Sequence, residues 1–165
     1  MPLPGLRFGV ALITVALVAA RPAAGGASPV TVEVVELLNA ARAAHGAPPL
    51  RPNPRLALAA RRHSRDMVAH RYFSHDSRTG EPFSARVART GWMRSRAHWS
   101  VGETLAWGVG AKAEPRAIVA AWLASADHRR IVLAPRFHLV GTGVAGGTPF
   151  GSRRAGRTFT ADFGS

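Results

Sequence analysis

Two helices meet in residues 121–133, which read AWLASADHRRIVL. The apolar end of a first helix, with Trp122, leads to Ser125, a residue type that commonly occupies the N-cap of a helix. Ser125 is therefore expected to cap a second helix, and His128 falls in the first turn of that helix. An imidazole in this position can face a cleft, so the rest of the chain decides what His128 meets.

Amphipathic helices and short strands are predicted on either side of this stretch. Apolar periodicity predicts helices at residues 30–44, 54–70, 82–90 and from 115 onward. Asn53 followed by Pro54 is typical of an N-cap and a first helical position. Residues 101–107 fit either a short strand or a turn of helix. Alternating side chains predict two strands that pair antiparallel, at residues 137–145 and 158–163.

This order of elements favours one α+β domain, with helices on both faces of a small, mostly antiparallel sheet. A chain of 165 residues is long enough for one domain with a core and too short for two. We expect residues 28–165 to form that domain. Because the sequence contains no cysteine, it excludes a disulfide framework, a thiol nucleophile and a thiolate metal site.

Residues 1–27 are interpreted as a cleavable secretory signal with a flexible lead-in. Arg7 supplies a positive charge, residues 8–20 form an apolar run too short for a membrane span, and small residues suited to cleavage follow. An uncleaved N-terminal anchor is the alternative. In either case the domain is expected to work outside the cytoplasm, and the mature chain to have no transmembrane segment.

The chain is strongly basic, with a formal charge of +13. Subtracting the charges of Arg7 and Arg21 leaves +11, and every basic residue except Lys112 is an arginine. A secreted domain with this charge would concentrate on anionic surfaces such as wall polymers or acidic lipids. An arginine-rich coding bias explains the composition equally well. The arginines are not interleaved with aromatic residues, so specific nucleic-acid recognition is not indicated.

Three polar side chains lie at segment edges beside apolar residues, namely His75, Glu103 and His128. Two imidazoles and a carboxylate suit zinc or another divalent metal, with His75 and His128 as its ligands. The same set can instead form a general base with an orienting carboxylate. The adjacent Asp76 and Asp127 are candidates for accepting a hydrogen bond from the two histidines.

Other catalytic patterns have less support. The sequence contains no Gly-x-Ser-x-Gly elbow of a serine hydrolase. A glycosidase pair is possible among Asp66, Glu81 and Glu103, but no pair stands out. His63 and His70 follow the apolar stripe of the second helix and are interpreted as core or boundary residues rather than ligands.

A series of motifs, in order along residues 32–164, resembles a bacterial CAP domain. The first half contributes Asn39-x-x-Arg42, Asp66-Met67 and Tyr72-Phe73-Ser74-His75. The second half contributes Gly80 with Phe83 and Arg86, Gly102-Glu103, Ala121-Trp122 with Ser125, His128-Arg129 and Phe159-Thr160-x-x-Phe163-Gly164. The superfamily, also called SCP, includes cysteine-rich secretory proteins, antigen 5 and plant pathogenesis-related proteins.

The resemblance implies a three-layer α-β-α sandwich with a small central antiparallel sheet. It also implies a solvent-open cleft lined by His75, Glu103 and His128, which binds zinc or another divalent ion in several members. This sequence differs from the family pattern near the cleft, with Ser125 in place of a second glutamate and with Thr104 and Ile131 in place of asparagines.

No single reaction follows from the resemblance, because members have been credited with lipid or sterol binding, protease-like activity and partner binding. We expect a binding or interaction module at the cell envelope, with a small-molecule, lipid or other envelope ligand. The alternative is a metal-assisted hydrolase, in which zinc activates water and Glu103 serves as the general base.

Overall fold

The computed structural model describes residues 28–94 and 96–165, so the predicted signal and lead-in at 1–27 lie outside the described residues. The helices are α1 (Pro29–Ala44), α2 (Pro54–His70), α3 (Phe83–Arg89), α4 (Pro115–Ala124) and α5 (Ala126–Val132). The strands are β1 (Arg51–Pro52), β2 (Val101–Val109), β3 (Leu139–Gly146) and β4 (Gly156–Gly164). A 3₁₀ turn, Gly110–Ala113, links β2 to α4. Among these described helices, none has the length and apolarity needed to cross a membrane.

The strands form one sheet in the order β1-β3-β4-β2. β4 pairs antiparallel with both β3 and β2, as predicted for the two C-terminal strands. The ambiguous residues 101–107 belong to the strand β2, which lies at one edge of the sheet. The two-residue β1, which the sequence analysis left as a connector, pairs parallel with its neighbour β3.

Helices cover both faces of the sheet, which confirms the α-β-α sandwich. On one face, α1, α4 and α5 enclose the larger core with the sheet residues Val140, Phe159, Ala161 and Phe163. On the other face, α2 and α3 enclose a smaller core built from Leu56, Ala59, Val87 and Trp92. The chain has no disulfides, and two apolar layers packed on one sheet stabilise the fold instead.

Helix caps explain where two of the helices begin. Asn53 Oδ1 accepts hydrogen bonds from the backbone N–H groups of Arg55 (3.0 Å) and Leu56 (3.1 Å), as predicted for an N-cap. Ser28 caps α1 in the same way through Thr31 N–H. The prediction that Ser125 caps α5 is wrong for its side chain. Ser125 occupies the N-cap position, but its hydroxyl accepts no capping hydrogen bond within the described chain.

Two buried side chains hold the α4–α5 pair in place. Trp122 Nε1 donates to the carbonyl of Leu105 in β2, at 3.0 Å. The guanidinium of Arg42, fully buried in α1, donates to four backbone carbonyls, at Pro48, Val132, Ala134 and Phe137. Burial lowers the pKa of Arg42, yet an arginine stays protonated in proteins, and these four acceptors compensate its lost hydration. Both interactions position the helix that carries His128.

Helix α2 lies directly against the backbone of β3 because two strand residues are glycines. A Cβ atom at Gly143 would lie 2.2 Å from backbone atoms of Ala60 and Arg61. At this contact the hydroxyl of Ser64 shares its one proton between the Gly143 carbonyl, at 3.1 Å, and Thr160 Oγ1, at 2.9 Å. The close packing predicted from the glycines of this strand is thus confirmed, and its partner is α2.

Replacing Gly143 by alanine should push α2 away from the sheet. We expect Gly143→Ala to lower the free energy of unfolding by at least about 2 kcal/mol, because the clash is with backbone that cannot rotate aside. Gly146→Ala is the matched control in the same strand, where a Cβ would meet no atom within 4 Å. It should change stability by less than about 0.5 kcal/mol. Urea denaturation measures both, and equal effects would contradict this packing.

Candidate functional site

The carboxylate of Glu103 is the centre of the polar cluster predicted from the sequence. Glu103 lies in β2 with only 2% of its surface exposed. Its Oε1 accepts a hydrogen bond from His75 Nδ1 at 2.8 Å, and its Oε2 accepts one from Arg86 Nη2 at 2.5 Å. A buried carboxylate requires such partners because it has lost its hydration. Both oxygens of Glu103 are therefore already engaged within the protein.

Arg86 connects this carboxylate to the 71–82 loop, which joins α2 to α3 and carries His75. It projects from α3 with 9% of its side chain exposed, and its Nη1 donates to the carbonyl of His75 at 2.7 Å. Its Nε is buried without a hydrogen-bond partner among the residues described. Arg86 thus fixes the backbone of His75 and the carboxylate that its ring contacts.

The ring of His75 is oriented but remains accessible. Half of its side chain is exposed, and its ring centroid lies 6.4 Å from that of Phe83. Because a carboxylate only accepts hydrogen bonds, Nδ1 of His75 must carry the proton. A neutral ring then has its lone pair on Nε2, the nitrogen that Glu103 does not contact. This is the geometry of an imidazole prepared to accept a proton or bind a ligand.

His128 lies in the first turn of α5, as predicted. Helix α5 packs on the face of the sheet opposite to α2 and α3. Burial lowers the pKa of its half-buried ring, the charge of His75 lowers it further, and Asp127 opposes both effects. The neutral form of His128 is therefore favoured. Among the described residues, a hydrogen bond joins His75 to Glu103, whereas no hydrogen bond or ion pair joins His128 to either of them.

Asp162 adds a second buried carboxyl group that the sequence analysis did not select. It faces Glu103 in the register between β4 and β2 and is 1% exposed. Neither of its oxygens has a hydrogen-bond partner in the described part of the chain. Burial raises the pKa of Asp162 well above its ordinary value, and the charge of Glu103 raises it further. The neutral, protonated form of Asp162 is therefore favoured.

The other predicted acidic partners lie elsewhere. Asp127 forms an exposed ion pair with Arg130 at 2.8 Å. Asp76 is exposed, and the acceptor for His75 is Glu103, so the prediction that Asp76 serves His75 is wrong. Asp66 accepts a hydrogen bond from Tyr72 at 2.5 Å, and Glu81 pairs with Arg89. Neither Asp66 nor Glu81 therefore shares a hydrogen-bond partner with Glu103 among the described residues.

His63 is a core histidine, as interpreted from the sequence. It is fully buried, and its Nε2 donates to the carbonyl of Ser74 at 2.8 Å. Burial lowers the pKa of His63, so the neutral form is favoured. Its hydrogen bond fixes the 71–82 loop one residue before His75. His70, by contrast, is exposed at the end of α2.

Two departures from the family pattern contribute to packing instead of to the cleft. Ile131 packs against the larger core, and its Cγ2 would lie 3.1 Å from a Cβ built on Gly102. Thr104 is fully buried, and its hydroxyl has no hydrogen-bond partner among the described residues. Because side chains alternate along β2, Gly102 and Thr104 face away from the Glu103 carboxylate.

The side chains available to a metal are two imidazoles. In residues 28–94 and 96–165, no group of three or more histidine, aspartate, glutamate or cysteine side chains is arranged to hold a metal ion. Catalytic zinc sites use three protein ligands, and Glu103 is already held by Arg86 and His75. The donor set thus does not fit a catalytic zinc site. A weaker site on His75 and His128 stays a prediction.

Comparisons with known proteins agree with the fold and the motifs. Residues 35–163 match the model of the cysteine-rich secretory protein family, called CAP. The uncharacterized protein YkwD of Bacillus subtilis is 37% identical over 114 residues, which cover 67% of this chain and 40% of YkwD.

Two solved structures extend the comparison. An extracellular protein containing an SCP domain, from Bacillus anthracis, is 26% identical with a TM-score of 0.64, over 84% of this chain and 44% of that one. An outer surface protein of Borrelia burgdorferi shares the fold at 16% identity, with a TM-score of 0.65, over 86% of this chain and 98% of that one. The chain spans less than half the length of the two Bacillus proteins.

Two arginines of α3 provide a test of the buried ion pair. Arg86→Ala should lower the free energy of unfolding by about 3–5 kcal/mol, because it leaves the Glu103 carboxylate buried and without its strongest partner. Arg89→Ala, the control, breaks an ion pair with Glu81 in which more than half of the arginine side chain is exposed, and its effect should be far smaller. Urea denaturation compares them. If Arg86→Ala lowered the free energy of unfolding no more than Arg89→Ala does, the proposed stabilisation by the buried ion pair would be refuted.

Proposed function

The chain belongs to the cysteine-rich secretory protein (CAP) family, and we propose that it serves as a binding module at the bacterial cell envelope. The observation that carries this proposal is the state of Glu103. Its two oxygens are occupied by His75 and Arg86, and 2% of the residue is exposed. A carboxylate so engaged is suited to orienting its neighbours, and it would have to release one of them to act as a general base.

The cleft then presents two imidazoles to a ligand. His75 offers Nε2, a hydrogen-bond acceptor in the neutral ring, and the lowered pKa of His128 favours its neutral form as well. Neutral imidazoles accept hydrogen bonds from hydroxyl, amide or ammonium groups. The ligand class that fits best is therefore a hydroxyl- or amide-bearing component of the envelope, such as a wall polymer.

Location and charge support the same role. The Bacillus anthracis structure at 26% identity is described as an extracellular protein. The formal charge of +13, or +11 without Arg7 and Arg21, would hold the protein near anionic wall polymers or acidic lipids before the cleft engages its ligand. This attraction weakens with salt, whereas hydrogen bonding in the cleft is screened much less.

A hydrolase is the second candidate, and one observation favours it. An imidazole whose Nδ1 is held by a carboxylate is the arrangement of a general base, with Nε2 as the nitrogen that takes the proton. In this candidate His75 is the base and Glu103 orients it, in contrast to the sequence-based hypothesis that gives the base to Glu103.

Sedimentation of the purified protein with isolated bacterial envelopes tests the binding role. We expect His75→Ala and His128→Ala each to lower the envelope affinity about fivefold or more at high salt, because each removes a ligand hydrogen bond. His45→Ala is the control, since His45 is exposed at the end of α1 and bonds only to the carbonyl of Ala41 there. If both cleft variants kept the wild-type affinity and salt abolished binding, the interaction would depend on charge alone, which would contradict the proposal.

The same variants separate the alternatives. Release of soluble fragments from the envelopes by the wild type, lost in His75→Ala, would establish the hydrolase. Calorimetric titration with zinc tests the metal prediction, and one-to-one uptake abolished by either His75→Ala or His128→Ala would establish a two-histidine site. Without saturable zinc uptake, the metal prediction is wrong.

A further inference from the structure

A separate cavity of about 390 Å³ lies between α2, α3 and the 71–82 loop. It shares Arg86 with the polar cluster described above, but His75, Glu103 and His128 do not line it. Its charged lining consists of four arginines and two carboxylates, namely Arg62, Arg78, Arg86, Arg89, Asp66 and Glu81. A cavity of this size is within the range that holds small ligands in proteins.

The ion pairs leave two of these arginines uncompensated. Arg89 pairs with Glu81, and Arg86 pairs with Glu103 behind the cavity wall. Arg62 and Arg78 have no carboxylate within ion-pair distance among the residues that the structure describes.

The remaining carboxylate, that of Asp66, already has partners of its own. It accepts a hydrogen bond from Tyr72 at 2.5 Å, and its other oxygen lies 2.8 Å from Nδ1 of His70. These bonds hold Asp66 away from ion-pair distance of Arg62 and Arg78 but leave its charge in place. Counting Asp66, Glu81 and the Glu103 that pairs with Arg86, four arginines face three carboxylates, so the cavity keeps an excess of positive charge.

Hydroxyl groups of the 71–82 loop complete the lining. Ser77 and Thr79 both face the cavity, and their hydroxyl oxygens lie 3.0 Å apart. Ser77 Oγ also accepts the backbone N–H of Glu81 at 3.0 Å, which fixes the loop in this conformation. Guanidinium groups together with hydroxyl donors are the usual partners of phosphate oxygens, because each supplies hydrogen bonds to an anion.

We propose that this cavity is a binding site for a phosphate group, with Arg62 and Arg78 as the residues that bind it. The group can belong to a soluble or polymer-borne phosphate or to a lipid headgroup, since all of these present the same oxygens. Arg62 and Arg78 lie outside the polar cluster of His75, Glu103 and Arg86, so replacing them should leave the cleft in place.

Titration with inorganic phosphate and with glycerol phosphate, at constant ionic strength, tests the site in the full-length protein. Calorimetry should show saturable one-to-one binding. Arg62→Ala and Arg78→Ala should each weaken it about tenfold, because each removes a charged hydrogen-bond donor. Both arginines are exposed enough for these variants to fold, which circular dichroism checks. Arg65→Ala is the matched control, since Arg65 is an exposed arginine of α2 that lines a different groove.

Vesicles containing phosphatidylglycerol distinguish the sources of the phosphate. Tighter binding of glycerol phosphate than of vesicles identifies a soluble or polymer-borne group, and the reverse identifies a lipid headgroup. Either result supports the site if Arg62→Ala weakens the binding of the preferred ligand and Arg65→Ala does not. The proposal is overturned if no saturable phosphate binding occurs up to tens of millimolar, or if Arg65→Ala weakens binding as much as Arg62→Ala.

Discussion

One buried carboxylate determines how the polar side of this domain is organised. Glu103 lies in an edge strand without access to bulk water, so its charge must be met by protein groups. Arg86 from α3 and His75 from the 71–82 loop supply them, and Arg86 also holds the loop backbone. Asp162 lies directly across from Glu103, and its pKa is raised first by burial and then by the charge of Glu103, so its neutral form is favoured.

This arrangement changes the role that the sequence suggested for Glu103. The sequence left three roles open for Glu103, as part of a metal-binding set, as a general base or as a carboxylate that orients a histidine, and the contacts with His75 and Arg86 favour the last. In the proposed function the two histidines meet the ligand. His75 is oriented by Glu103, and His128 is carried by a helix that Arg42 and Trp122 hold in place.

Local sequence rules predicted the helices and the two C-terminal strands. Helix α2 was predicted from residue 54 to 70 because Asn53, Pro54 and apolar spacing act within one segment. His75 was grouped with Glu103 from the sequence, but Arg86 and Asp162 were not, since they reach it only through tertiary packing and strand register. Asp162 does carry a recognisable pattern, an acidic residue in a strand whose two faces are both covered. For Ser125 the predicted position is correct and the predicted interaction is not. It occupies the N-cap of α5, but its side chain makes no capping hydrogen bond with the described residues.

The tautomer of His75 tests the central role of Glu103 most directly. Long-range ¹H–¹⁵N correlation spectra, recorded at alkaline pH, report which ring nitrogen carries the proton in the neutral form. We predict the proton on Nδ1 and the lone pair on Nε2, because Nδ1 must donate to the Glu103 carboxylate at 2.8 Å. A proton on Nε2 would contradict the account, because an unprotonated Nδ1 and the Glu103 carboxylate oxygen are both acceptors and cannot form a hydrogen bond with each other.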